Sequence, residues 1–234
     1  MPSLRDLEST LSTELRLSRR PVGVAFLDAP PEGVEAFTGT RPSGCSFWPL
    51  AAEGHTFYTV PGDHYNCPIG SHTHNMPLPA SRAGELEQTL GLMREIGYIR
   101  MEEVPTIPQV AAPPKAVVYA PLGEMPVEPD VVILTGSPGG LMLLHEAAAA
   151  RGIESRPLLG RPTCMALPAA LLSGTVASVG CIGNRVYTGA TDDELYAAMR
   201  GADIERVAAE AGTIAAANDA LLEYHTERRA MATE

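Results

Sequence analysis

The sequence predicts an α/β fold: a mixed sheet with packed helices on its faces, built as two pseudo-repeated halves. Three observations carry this. Ala116-Val-Val-Tyr-Ala120 and Val131-Val-Ile-Leu-Thr135 are unbroken apolar runs, as expected of central, covered strands. Helical-period segments lie at both ends of the chain, with Leu4, Leu7, Leu11 and Leu15 at one and Ile204, Val207, Ala208, Ala211 and Ile214 at the other. Finally, one cysteine module occurs twice. Cys45-Ser-Phe-Trp-Pro49-Leu-Ala-Ala-Glu-Gly54 and Cys164-Met-Ala-Leu-Pro168-Ala-Ala-Leu-Leu-Ser-Gly174 each place Pro four residues after Cys, then an Ala pair, then Gly. Each continues through a strand-like stretch to a second cysteine, in Cys67-Pro-Ile-Gly70 and Cys181-Ile-Gly183. The shared order predicts a duplication, about residues 20–105 and 115–200, inside a single domain of residues 1–234 with a C-terminal helix over 203–228.

The elements follow in order. Ser3 is the N-cap of an amphipathic first helix, with Asp6 at its positive end. Pro21–Leu27 reads as a buried strand, Pro49–Gly54 as a short helical turn, and His55–Val60 as a strand. A loop, Pro61–Pro79, carries Cys67 and three of the six histidines. Leu86, Leu90 and Met93 mark a helix over about Ser81–Ile96, and Tyr98–Val104 reads as a further strand. After the two central strands, Ser137 caps a helix over Leu141–Arg151 that Gly152 stops. Thr175–Val179 is a strand, and Leu195–Met199 is ambiguous between helix and strand.

Composition limits the function. Of 234 residues, 45% are hydrophobic and 19% charged, against a usual charged share near about 25%, which excludes intrinsic disorder and a charged coiled coil. A net charge of −11 argues against nucleic acid and anionic membranes as partners, since both demand a basic field. No apolar run approaches a membrane span, and the first residues lack the compact apolar core of a signal peptide. A cytoplasmic location is expected, where four cysteines are reduced thiols, metal ligands or catalytic groups.

A cysteine before a proline-started helix faces unsatisfied backbone N–H groups, which favour thiolate, the species that ligates metal or attacks electrophiles. Cys45, Cys67, Cys164 and Cys181, drawn from two loops by a pseudo-twofold axis, suit an iron–sulfur cluster or a closed zinc site. His64, three residues before Cys67, is a further candidate ligand for a mononuclear metal such as zinc, with His72 and His74 nearby. Asn184 and Arg185 are candidates for binding an anionic cofactor or shielding a cluster. The leading expectation is a metal- or iron–sulfur-binding protein, with a redox partner or small molecule as its counterpart. The residues leave other readings open. One is a thiol enzyme with Cys67 or Cys164 as nucleophile and a histidine of the His64–His74 loop as base. Another is a non-catalytic module for a small ligand or protein, with the cysteines merely buried. Thr135-Gly-Ser-Pro-Gly-Gly140 lacks the Lys-Ser/Thr of a phosphate loop and reads as an ordinary helix cap. A homo-oligomer is compatible with all of these.

Five pieces carry a resemblance: Cys45-Ser-Phe-Trp48, His64-Tyr-Asn-Cys-Pro-Ile-Gly70, Glu95-Ile-Gly-Tyr98, Pro129-Asp-Val-Val132 and Cys164-Met-Ala-Leu-Pro168. With Gly180-Cys-Ile-Gly-Asn-Arg185, they make the chain resemble a prokaryotic family known as domain of unknown function 169. The resemblance spans nearly the whole chain and implies a single long domain, but no activity. It also implies that Leu195–Met199 is a strand.

Overall fold

A computed structural model describes residues 2–158 and 162–232. Seven strands form one sheet: β1 (Val22–Leu27), β2 (Phe57–Thr59), β3 (Ala116–Pro121), β4 (Val131–Gly136), β5 (Ser155–Leu158), β6 (Thr175–Ser178) and β7 (Leu195–Arg200), in the order β2-β3-β1-β4-β7-β6-β5. Every pairing is antiparallel except β5 with β6, so the sheet is mixed, as expected. Leu195–Arg200 is a strand despite its two alanines, because it fills the gap between β4 and β6, both of which bond to it.

The central runs are continuous because both faces are covered. On one face, Val132 and Leu134 of β4 and Ala197 and Met199 of β7 pack against α1 (Leu4–Glu14), α5 (Pro138–Ala150) and α8 (Ile204–Met231). The alternate residues, Val131, Ile133, Tyr196 and Ala198, meet α2 (Phe47–Ala52) and α6 (Ala166–Ser173) on the other. Ser3 and Asp6 form a reciprocal capping box at the start of α1, with Asp6 N–H donating to Ser3 Oγ at 3.2 Å and Ser3 N–H to Asp6 Oδ2 at 2.9 Å. Ser137 caps α5 by accepting from Gly140 N–H at 3.2 Å. Gly140 is needed there, since a Cβ would collide with the carbonyl of Leu15 where α1 and α5 meet. The Thr135–Gly140 turn is thus a packed helix cap.

Three local expectations are corrected. Pro61–Pro79 is not all loop: it holds α3 (Pro68–Thr73), with Cys67 as its N-cap. Tyr98–Val104 is no strand; Met101–Thr106 forms 3₁₀ turns, because Pro105 interrupts the run and no neighbouring strand offers a ladder. The turn after Cys181 continues as α7 (Ile182–Thr188). Both cysteine modules run through a 3₁₀ turn, a helix, a strand and a cysteine-capped short helix, but the first inserts a further 3₁₀ turn, Pro61–His64, before its last helix. A repeat of the two whole halves is not confirmed. α4 (Glu85–Glu95) has no counterpart in the second half, and α5 and β5 have none in the first. β3 closes the first half's part of the sheet beyond the expected boundary at 105. No helix among the described residues is long and apolar enough to cross a membrane.

Candidate functional site

The paired modules meet crosswise. The 3₁₀ turn Gly44–Ser46, which holds Cys45 and leads into α2, packs on α7; the turn Thr163–Met165, which holds Cys164 and leads into α6, packs on α3. Cys67 and Cys181 stand at the starts of α3 and α7, where each sulfur accepts an N–H three residues on, from Gly70 and Asn184, at 3.4 Å. All four cysteines therefore face one cavity of about 700 Å³. Its outer wall is α4 and the segment behind it, through Leu90, Met93, Tyr98, Ile99 and Ile107. No residue of α4 is buried, and its main packing partner is α3, so it covers the cavity without joining the core.

Facing one cavity is not the same as forming one metal site. Among the described residues, no group of three or more His, Cys, Asp or Glu side chains comes close enough to hold a metal ion. This overturns the iron–sulfur cluster and the closed zinc site expected of Cys45, Cys67, Cys164 and Cys181. The four thiols line one cavity, but no three of them come together as a ligand set. A mononuclear site including His64 fails as well. Its Nε2 is engaged with Thr59 Oγ1 at 2.8 Å, and that hydroxyl also lies 3.3 Å from Val117 O. Its Nδ1 has no partner and faces Gly44, where a Cβ would lie 2.8 Å away.

The electrostatics also run against the expected thiolates. Burial pushes Cys45 up to about 11, in spite of the Ser43 hydroxyl 3.1 Å away. It raises Cys67 as well, against the Gly70 N–H, and drives Cys164 well above the usual thiol value. Desolvation outweighs the few backbone N–H groups of a six-residue helix. All three are neutral thiols at pH 7 and no preformed nucleophile stands among them. No described histidine lines the cavity. His74 is fully buried with neither ring nitrogen partnered, its ring edge-on to those of Phe26 and His64. His72 is bonded by Gln109. A cysteine–histidine catalytic pair is absent among the described residues.

Arg185 and Asn184 differ sharply. The Arg185 guanidinium donates to three backbone carbonyls, those of Thr191 and Val179 at 2.7 Å and Glu194 at 3.2 Å, which clamps the loop after α7. Both of its terminal nitrogens are engaged by the chain. Asn184 lines the cavity at 1% exposure, and its buried amide has the Cys45 thiol as its contact, with no nitrogen or oxygen partner among the described residues. A thiol is a weak hydrogen-bond partner, so the buried amide is only partly satisfied. Sequence reasoning missed the α4 wall; its signal was the apolar stripe of Leu86, Leu90 and Met93 on a helix that then turned out to have no buried residue.

No curated protein and no solved structure matches the chain. A family profile does, over residues 10–210, which is most of the sequence and includes every wall residue of the cavity. The chain belongs to the domain of unknown function 169 family, described as uncharacterised ArCR.

Proposed function

We propose that this protein is a small-molecule-binding module whose ligand, largely apolar, occupies the cysteine-lined cavity. The observation that carries the reading is the cavity itself. Its volume of about 700 Å³ lies within the roughly 300–1,000 Å³ of small-molecule sites, and its wall is mostly apolar with few polar groups. Water in such a space finds too few partners, so its expulsion by an apolar ligand is favourable. Four cysteines with Met93 and Met165 give the wall six sulfurs. Soft, polarizable sulfur makes favourable contacts with aromatic rings, which suits a ligand with an aromatic body. The thiols act here as packing surface.

The test is calorimetric titration of neutral aromatic fragments, such as quinoline and indole, into the full chain, beside a Gly183→Phe variant. Gly183 lines the cavity on α7, and the nearest atom to an added Cβ is 3.5 Å away, on Tyr187, so a ring can be accommodated there at the cavity wall. Fragments are expected to bind the natural chain and to lose at least tenfold in affinity to the filled variant. Equal binding by both, or by neither, refutes the reading.

A further inference from the structure

We propose that residues 77–109 form a lid over the cavity, and that an apolar occupant is what holds the lid shut. The inference rests on the cavity reading above and adds how that site opens and closes. Both ends of the segment are pinned side by side on the C-terminal end of α3. At one end, buried Met76 donates its N–H to Ser71 O at 2.8 Å. At the other, Val110 N–H donates to Thr73 O at 2.9 Å, Asn75 Nδ2 to Val110 O at 3.0 Å, and Gln109 Nε2 to His72 O at 2.7 Å. Pro77, Pro79 and Pro108 lie just inside these anchors and have no N–H with which to add a backbone tie. Among the described residues, the backbone hydrogen bonds of 84–107 close within the segment, through α4 and the 3₁₀ turns Met101–Thr106. Arg82 Nη1 reaches across to Asn66 Oδ1, at a long 3.5 Å. The segment is one unit on two neighbouring anchors.

The inner face of that unit has the composition of a core but not the burial of one. Leu90, Met93, Tyr98, Ile99, Val104 and Ile107 all line the cavity, and all six are only half-buried. On α5, by contrast, Leu141, Leu143 and Leu144 lie against the sheet and are buried. The lid's side chains face the cavity, so closing it removes little apolar surface from water until something fills that space. An occupant gives the six side chains a partner and ties them to the opposite wall. That wall does not share the lid's freedom. Its turns at Cys45 and Cys164 pack on α7 and α3 and lead into α2 and α6, whose side chains are part of the core. Opening the lid thus leaves the sheet intact but removes one side of the site. The open state binds the ligand more weakly than the closed one, so the ligand shifts the population toward closure.

Hydrogen exchange of the full chain, read by mass spectrometry on peptides within 84–99, tests the lid. The probe is the tighter-binding of quinoline and indole, with its Kd taken from calorimetry. Without probe, the α4 amides are expected to exchange at least about a hundredfold faster than those of α5, because they open without global unfolding. With free probe at ten times Kd they should slow about tenfold, the factor 1 + [L]/Kd for a ligand that must leave before the lid opens. Leu90→Ser removes one inner side chain and should speed α4 exchange at least about threefold without probe. Leu92→Ser, on an exposed position outside the cavity wall, should leave it unchanged. If Leu90→Ser fails to fold, the natural chain with and without probe still decides. Exchange of α4 as slow as that of α5 overturns the lid, and exchange that bound probe does not slow overturns the clamp; both leave the cavity reading intact. Equal acceleration by the two variants overturns the role of the inner face. Binding of neither probe overturns the cavity reading and the lid together.

Discussion

Acid sensitivity should be written into the stability of this protein by His74. The ring is fully buried, unpartnered at both nitrogens, and packed edge-on to Phe26 and His64, with ring centroids 5.7 and 5.6 Å away. A charged imidazolium has no acceptor there, and burial lowers its pKa from 6.5 to about 4. The groups packed round it offer no rescue: His64 is likewise lowered by burial, and the nearby Thr59 hydroxyl is already engaged. The sign follows directly. Below pH 6.5 the unfolded chain takes up a proton that the folded chain refuses, so stability falls as the pH drops. One unit of pKa is worth about 1.4 kcal/mol, and most of the interval between 6.5 and 4 is crossed by pH 4.5. His74 alone should therefore remove about 2.5 kcal/mol between pH 7.5 and 4.5, a large part of a typical stability of about 5–15 kcal/mol. Urea unfolding at the two pH values, on the natural chain and on His74→Leu, isolates the contribution. The variant should lose about 2.5 kcal/mol less than the natural chain over that interval, whatever its stability at pH 7.5. A difference under about 1 kcal/mol would mean that the ring is solvated or partnered, and the account of His74 would be wrong.

Two further predictions concern other buried groups. Glu194 is 8% exposed and accepts from Ser18 Oγ at 2.8 Å, Arg19 Nε and Nη2 at 2.9 and 2.8 Å, and Thr191 N–H at 3.0 Å; the Arg19 guanidinium above all holds its carboxyl down to about 2. Its contribution is present above about pH 4.5 and is lost as the pH falls toward 2, and Glu194→Gln should cost about 2–3 kcal/mol at pH 7 in urea unfolding. Cys45, pushed up to about 11 and 6% exposed, should be alkylated by iodoacetamide at pH 7.5 at least about a hundredfold more slowly than a free thiol, as read by peptide mass spectrometry. A rate near that of a free thiol would show that the cavity wall opens to solvent or that thiolate forms there.

Which features were legible in the sequence depends on the range over which each is specified. The central strands, α1, the caps at Ser3 and Ser137, and the long C-terminal helix are fixed by local periodicity and by side chains that bond their own backbone. The echo of the two cysteine modules was legible in the same way, although the structure adds a 3₁₀ turn, Pro61–His64, to the first and does not confirm a repeat of the halves. The sequence also placed all four cysteines and Asn184 among the candidate residues, and each lines the cavity. The chemistry assigned to them did not survive, because ligation depends on sulfur separations and thiol ionisation on burial, neither of which spacing along the chain encodes. His64 illustrates the limit. Three residues from Cys67 it reads as a ligand, yet its Nε2 is taken by the hydroxyl of Thr59, which lies opposite Val117 in the β2–β3 pair. Tyr98–Val104 likewise reads as a strand but lacks a partner, and a strand without a ladder is only an extended run. By itself the sequence determined the local elements and the identities of the groups around the site. Only the tertiary structure decided that those groups line one cavity, with Cys45, Cys67 and Cys164 kept neutral by burial, because convergence and desolvation arise when segments more than a hundred residues apart pack together.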